Sequence, residues 1–130
     1  MVWSHWSSDR VIIFMIGLFY ILLWAQVTMF HYRQNFHSKV MWAPVLLAPL
    51  ICLVSIISTL ANTSGWFGLT QVLFWLGAIS GLIGFYYHVK GVGKRVGGYA
   101  FRNFLIGPPI MLPLLFSGLS ILGLIAVYGG

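Results

Sequence analysis

From Leu69 to Lys90 the chain reads LTQVLFWLGAISGLIGFYYHVK, with no charged side chain before Lys90. About twenty uncharged residues, at roughly 1.5 Å each, are enough for a helix to cross the hydrocarbon core of a bilayer. Three more apolar stretches, roughly 11–30, 44–61 and 105–128, take up most of the remaining chain. With 69–89 they make four spans. Only 6% of the 130 residues are charged, against about 25% in a soluble domain. Seven Lys or Arg and one carboxylate cannot build a water-facing surface. The expectation is an all-α integral membrane protein, a single four-helix transmembrane domain over residues 1–130.

The one carboxylate, Asp9, lies outside every span. A carboxylate-based proton carrier needs an acidic group inside the membrane, and a glycosidase needs a pair of them. Neither is available. The net charge of +6 is not a nucleic-acid signal, because the basic residues sit in short loops beside apolar spans, where anionic headgroups attract them. No nucleophile–base pair is visible, so a non-catalytic subunit is expected rather than an enzyme. The lone Cys52 lies inside a span and reads as a packing residue.

The apolar run from Val11 is too long for a signal-peptide core and lacks a small-x-small cleavage site, so it reads as a retained first span. Trp3 and Trp6 favour the headgroup region and are expected to lie flat there. The second loop, Asn62–Gly68, carries no charge, and its Asn-Thr-Ser is a weak acceptor match, too close to the membrane for glycosylation. The third loop, Lys90–Phe104, contains GVGKR, but no strand precedes it and the phosphate-loop pattern is not met.

Lysine and arginine counts set an expected orientation. Loops 31–43 and 90–104 carry Arg33, Lys39, Lys90, Lys94, Arg95 and Arg102, whereas the other non-span segments carry only Arg10. The positive-inside rule then puts these two loops in the cytoplasm and both termini outside, in a bacterial inner membrane.

The two halves resemble each other. FHYR followed by PVLLAP in the first corresponds to YYHVK followed by PPIMLP in the second, and Pro44–Pro49 and Pro108–Pro113 share a spacing of five. The expected architecture is two tandem helical hairpins related by a pseudo-two-fold axis along the membrane normal. His31 and His88 then become equivalent, each ending a span at one depth. Two imidazoles at one level can ligate a haem iron. Gly77, Gly81 and Gly84 recur at helical spacing and offer room for the macrocycle, with Tyr20, Trp24 or Tyr87 to pack on it. Arg33, Lys90 or Lys94 would pair with its carboxylates. The bland alternative is that the histidines are interfacial and the glycine stripe serves helix packing.

The expected function is a small membrane subunit of a larger electron-transfer complex, an anchor or scaffold in which His31 and His88 are the candidate ligands of a haem b. Arg33, Tyr87 and Lys90 are the further candidate cofactor contacts. The expected partners are other membrane subunits, anionic lipids, and quinone or haem. A stand-alone b-type cytochrome and a small-solute transporter or channel are the alternatives.

Overall fold

A computed structural model describes the whole chain, Met1–Gly130, and it is helical with no strand. Helix α1 is Ser8–Arg33, α2 Trp42–Ala61, α3 Ser64–Arg95, α4 Phe101–Ile106 and α5 Met111–Gly129, with a single 3-10 turn, Lys39–Met41, leading into α2. Four of these, α1, α2 with its leading turn, α3 and α5, are long and apolar enough to cross a membrane. Helix α1 packs on α2 and α5, and α3 packs on the same two helices. The four therefore form a ring with α1 diagonal to α3.

The apolar residues sort as they would in lipid. Ile13, Ile16 and Tyr20 of α1, Ile51 of α2 and Phe74 of α3 are fully enclosed, with Phe116 of α5 nearly so. Leu22, Leu46, Leu53, Leu60, Val72 and Ile125 point outward and are more than half exposed. In water each would forgo about 1.5–3 kcal/mol of burial. Against lipid tails there is no such loss, and packing and hydrogen bonds must hold the helices together instead.

Those contacts use small residues, and the glycine stripe is one of them. A Cβ on Gly81 would lie 2.5 Å from both Cβ and the backbone nitrogen of Ser117, and 2.7 Å from the Pro113 carbonyl oxygen. Ser117 Oγ donates to the Ala78 carbonyl at 2.8 Å. Gly77 meets Ser120 and Ile51. At Gly77 and Gly81 the bare face of α3 is thus occupied by α5, which corrects the expectation that the whole stripe leaves room for a macrocycle; at Gly84 a Cβ would meet only Pro113 Cβ, at 3.3 Å. Tyr20 turns the same way: its hydroxyl donates to the Phe116 carbonyl at 2.5 Å and lies 2.5 Å from Ser120 Oγ. Trp24 is exposed on the outside of α1.

The fourth span is shorter than its hydropathy suggests. Residues 105–128 read as one apolar run, but the helix begins at Met111, and Gly107–Ile110 separate it from α4. Pro108 and Pro109 disfavour helical backbone at the residues before them and supply no N–H. At its other end α3 runs on past Lys90 to Arg95 and stops before Gly97 and Gly98, at φ +94° and +134°. Glycine tolerates these angles where other residues do not. The second loop shrinks to Asn62 and Thr63, because α3 already starts at Ser64.

The N-terminal segment folds onto the end of the bundle. Trp3 is buried, edge-on to Phe67 at 5.1 Å. Asn62 ends α2 in the left-handed conformation, φ +55°, which asparagine tolerates better than most residues. Its Oδ1 accepts from the Val2 and Trp3 amides at 2.9 and 2.8 Å, and its Nδ2 donates to the Trp3 carbonyl at 2.7 Å. Arg10 is buried beside it. Its guanidinium donates twice to the Thr59 carbonyl, at 3.0 and 2.6 Å, and lies 3.9 Å over the Trp6 ring. Thr59 belongs to the last turn of α2, where carbonyls lack helical partners and carry partial negative charge. The N-terminus, the α2–α3 turn and the C-terminal Gly130 beside Asp9 gather at one end of the ring, and His31 and His88 lie at the other.

Candidate functional site

His31 lies in the last turn of α1. The chain then reverses through Asn35 and Phe36, both left-handed at φ +58° and +46°. The His31 carbonyl accepts from the Gln34 and Phe36 amides at 3.1 and 3.0 Å. Phe36 stacks on Trp42 at 4.0 Å and meets the His31 ring edge-on at 6.1 Å. This tight return brings the Met41 carbonyl to 2.7 Å from His31 Nδ1. His88 lies inside α3, and its Nδ1 is 2.5 Å from the Pro109 carbonyl in the break before α5.

A carbonyl only accepts, so Nδ1 carries the proton in both neutral rings and Nε2 keeps its lone pair. A ring N–H donated to a backbone carbonyl is how proteins orient a histidine whose other nitrogen binds a metal. The two rings adjoin, with centroids 6.4 Å apart and planes at 58°. His31 is buried and His88 half-buried. No group of three or more His, Cys, Asp or Glu side chains converges anywhere in the chain.

Both histidines line a groove of about 850 Å³, within the range of roughly 300–1,000 Å³ typical of ligand sites. Its wall on α3 runs from Leu76 to Arg95, and Leu46, Leu47 and Leu50 of α2 face it. Helix α5 contributes Leu112, Pro113 and Phe116. The histidine end carries Lys90, Lys94 and Arg95, with Gln34 and His37 from the first loop. Arg95 ties that loop to α3: its guanidinium donates to Gln34 Oε1 at 3.0 Å and lies 2.9 Å from His37 Nδ1. This strap spans the two diagonal helices that bear the histidines.

Among the candidates from the sequence, His31, His88, Tyr87 and Lys90 come together on the groove, and Lys94 joins them. Arg33 does not: it is exposed at the end of α1 and lies off the lining. Lys90 sits 5.8 Å from the Tyr86 ring. Sequence reasoning missed Gln34 and Arg95, and also the two carbonyls that orient the rings. Backbone acceptors leave no residue signal, although the prolines at 108 and 109 mark a place where helical carbonyls go unpaired. Comparison with protein-family models, curated proteins and solved structures finds no match to this chain.

Proposed function

We propose that this chain is a small integral membrane subunit of an electron-transfer complex and that it holds a haem b between His31 and His88. The observation that carries this reading is the ring pair. Two imidazoles from different helices keep Nε2 free, and each donates Nδ1–H to a backbone carbonyl. The ring centroids are 6.4 Å apart, so the two imidazoles stand close enough that both could hold one haem iron.

The surroundings support the same reading. Lys90, Lys94 and Arg95 edge the groove at the histidine end, where they would pair with porphyrin carboxylates. Arg33 is no longer part of that set. Tyr87 and the Leu47 and Leu112 side chains supply an apolar wall, which with the axial ligands would tune the potential. A bound haem would supply one-electron chemistry. The chain's own part is to fix two ring tautomers, exclude water and neutralise the carboxylates.

The corresponding ring-to-carbonyl bonds also favour duplicated halves, since each acceptor stands at or just before the start of the next transmembrane helix. In this reading the cationic end faces the cytoplasm of a bacterial cell and both termini lie outside. Arg10, the one basic residue at the opposite end, is hydrogen-bonded to the Thr59 carbonyl. The outward leucines offer contact to partner subunits and lipid.

The test is optical. Protein purified in mild detergent from haem-replete cells should carry a Soret band, lost in His31→Ala and in His88→Ala. A colourless wild-type protein would falsify the haem assignment. Gentle purification should also recover stoichiometric membrane partners, and a lone monomer would favour the alternative, a stand-alone cytochrome.

A further inference from the structure

The groove is longer than the histidine site. From Ser80 to His88 is eight residues, about 12 Å along α3 at 1.5 Å per residue. The lower half is lined by Leu46, Leu50, Leu76, Ile79 and Ile83 with Ser80 among them. Those five apolar side chains are 47–62% exposed, so this half opens sideways between α2 and α3, towards lipid. Ser80 is half-buried, and its hydroxyl joins none of the side-chain bonds made by its helix, which come from Thr70, Trp75, His88 and Arg95. A hydroxyl in an apolar helix ordinarily bonds to the carbonyl one turn back. Thr70 does so, to Trp66 at 2.9 Å.

An unpartnered hydroxyl on an apolar, laterally open slot asks for a ligand oxygen at that depth. An acyl chain has none. A phosphate head belongs at Lys90, Lys94 and Arg95, ten or more residues and about 15 Å further along the helix. We propose that the lower groove binds the ring of a neutral, isoprenoid-tailed quinone, with one ring oxygen on Ser80 Oγ and the tail leaving between α2 and α3. A serine hydroxyl both donates and accepts. It can donate to the carbonyl of the oxidised ring and accept from the hydroxyl of the reduced one. The flat ring would lie against Ile79, Ile83 and Leu50, and no charge is needed. This subsite goes beyond the haem assignment and does not require it.

The test is photolabelling with an azidoquinone in phosphatidylcholine nanodiscs, mapped by mass spectrometry with and without excess unlabelled quinone. The expected result is saturable labelling on peptides containing Ile79–Ile83 and Leu46–Leu50. Ser80→Ala should weaken it by about three- to ten-fold, the value of one hydrogen bond. Ser80→Thr should retain it, and Ser80→Trp should abolish it by filling the slot. Helical circular dichroism of each variant checks that the bundle persists. Labelling that does not saturate, that spreads evenly over Leu22, Leu53 and Ile125, or that is unchanged in Ser80→Ala overturns the proposal. So does labelling confined to Lys90–Arg95, which would mark a headgroup ligand. The experiment is repeated on His88→Ala protein. Saturable labelling at Ser80 that persists in colourless His88→Ala protein supports a quinone subsite independent of the haem. Wild-type protein with a Soret band and no saturable labelling overturns the quinone subsite and leaves the haem reading standing.

Discussion

Replacing Gly81 by alanine adds one methyl group to the closest approach between α3 and α5. That carbon would lie 2.5 Å from Ser117 Cβ and from the Ser117 backbone nitrogen, and 2.7 Å from the Pro113 carbonyl oxygen. Two of the three obstacles are backbone, so no rotamer change relieves the overlap, and the helices must separate. Such overpacking costs typically about 1–3 kcal/mol. An opposite term exists, because alanine is preferred to glycine inside a helix by up to ~1 kcal/mol. The net expectation is a loss of about 1–2 kcal/mol. Gly118 provides the control. It too lies inside a helix, α5, but a Cβ there meets nothing within 4 Å. Gly118→Ala should be neutral or slightly stabilising. Both variants can be followed by tryptophan fluorescence during denaturation with an ionic detergent in mixed micelles. Equal midpoints for Gly81→Ala and Gly118→Ala would refute the assignment of the glycine stripe to helix packing.

Three further outcomes follow from the same packing and are read by the same denaturation. Arg10→Met should cost about 1.5–3 kcal/mol, the value of hydrogen bonds made by a charged donor, and Arg10→Lys should recover part of it. Tyr20→Phe removes the bonds to the Phe116 carbonyl and Ser120 and should cost ~0.6–1.7 kcal/mol, between the average and the largest value for hydrogen bonds between transmembrane helices. Asn62→Gly and Asn62→Ala lose the same side-chain bonds, but alanine must also hold φ +55°. Asn62→Ala should therefore be the less stable by about 1–2 kcal/mol. Equal stabilities would remove the left-handed residue from the explanation.

The four helices were legible in the residue pattern because lipid demands long uncharged runs and leaves few alternatives. Their ends were less so. Hydropathy merged Leu105 with Tyr128, whereas Pro108 and Pro109 broke the backbone between them, a constraint of ring geometry rather than polarity. Gly91 and Gly93 suggested a loop, yet α3 carried through both to Arg95. Of the site, His31 and His88 stood out as the titratable rings at span ends, and Lys90 and Tyr87 followed by proximity. Arg33 lies off the groove, because sequence distance from His31 does not tell which way the last turn of α1 faces. Gln34 and Arg95 were missed because their meeting depends on two helices far apart in the chain. The Asn62 and Arg10 contacts were equally hidden: a glycosylation-like motif and a stray charge turned out to hold the N-terminus onto the end of α2.

The joint placement of His31 and His88 requires both basic loops to emerge on one face of the membrane. Single cysteines at Asn35, Gly97 and Thr63, in a Cys52→Ser background, can be probed with an impermeant thiol reagent in right-side-out and inverted vesicles. Positions 35 and 97 should react from the same side, the cytoplasmic one, and position 63 from the other. Reaction of 35 and 97 from opposite sides would separate the two histidines by the thickness of the bilayer and end the case for a shared site.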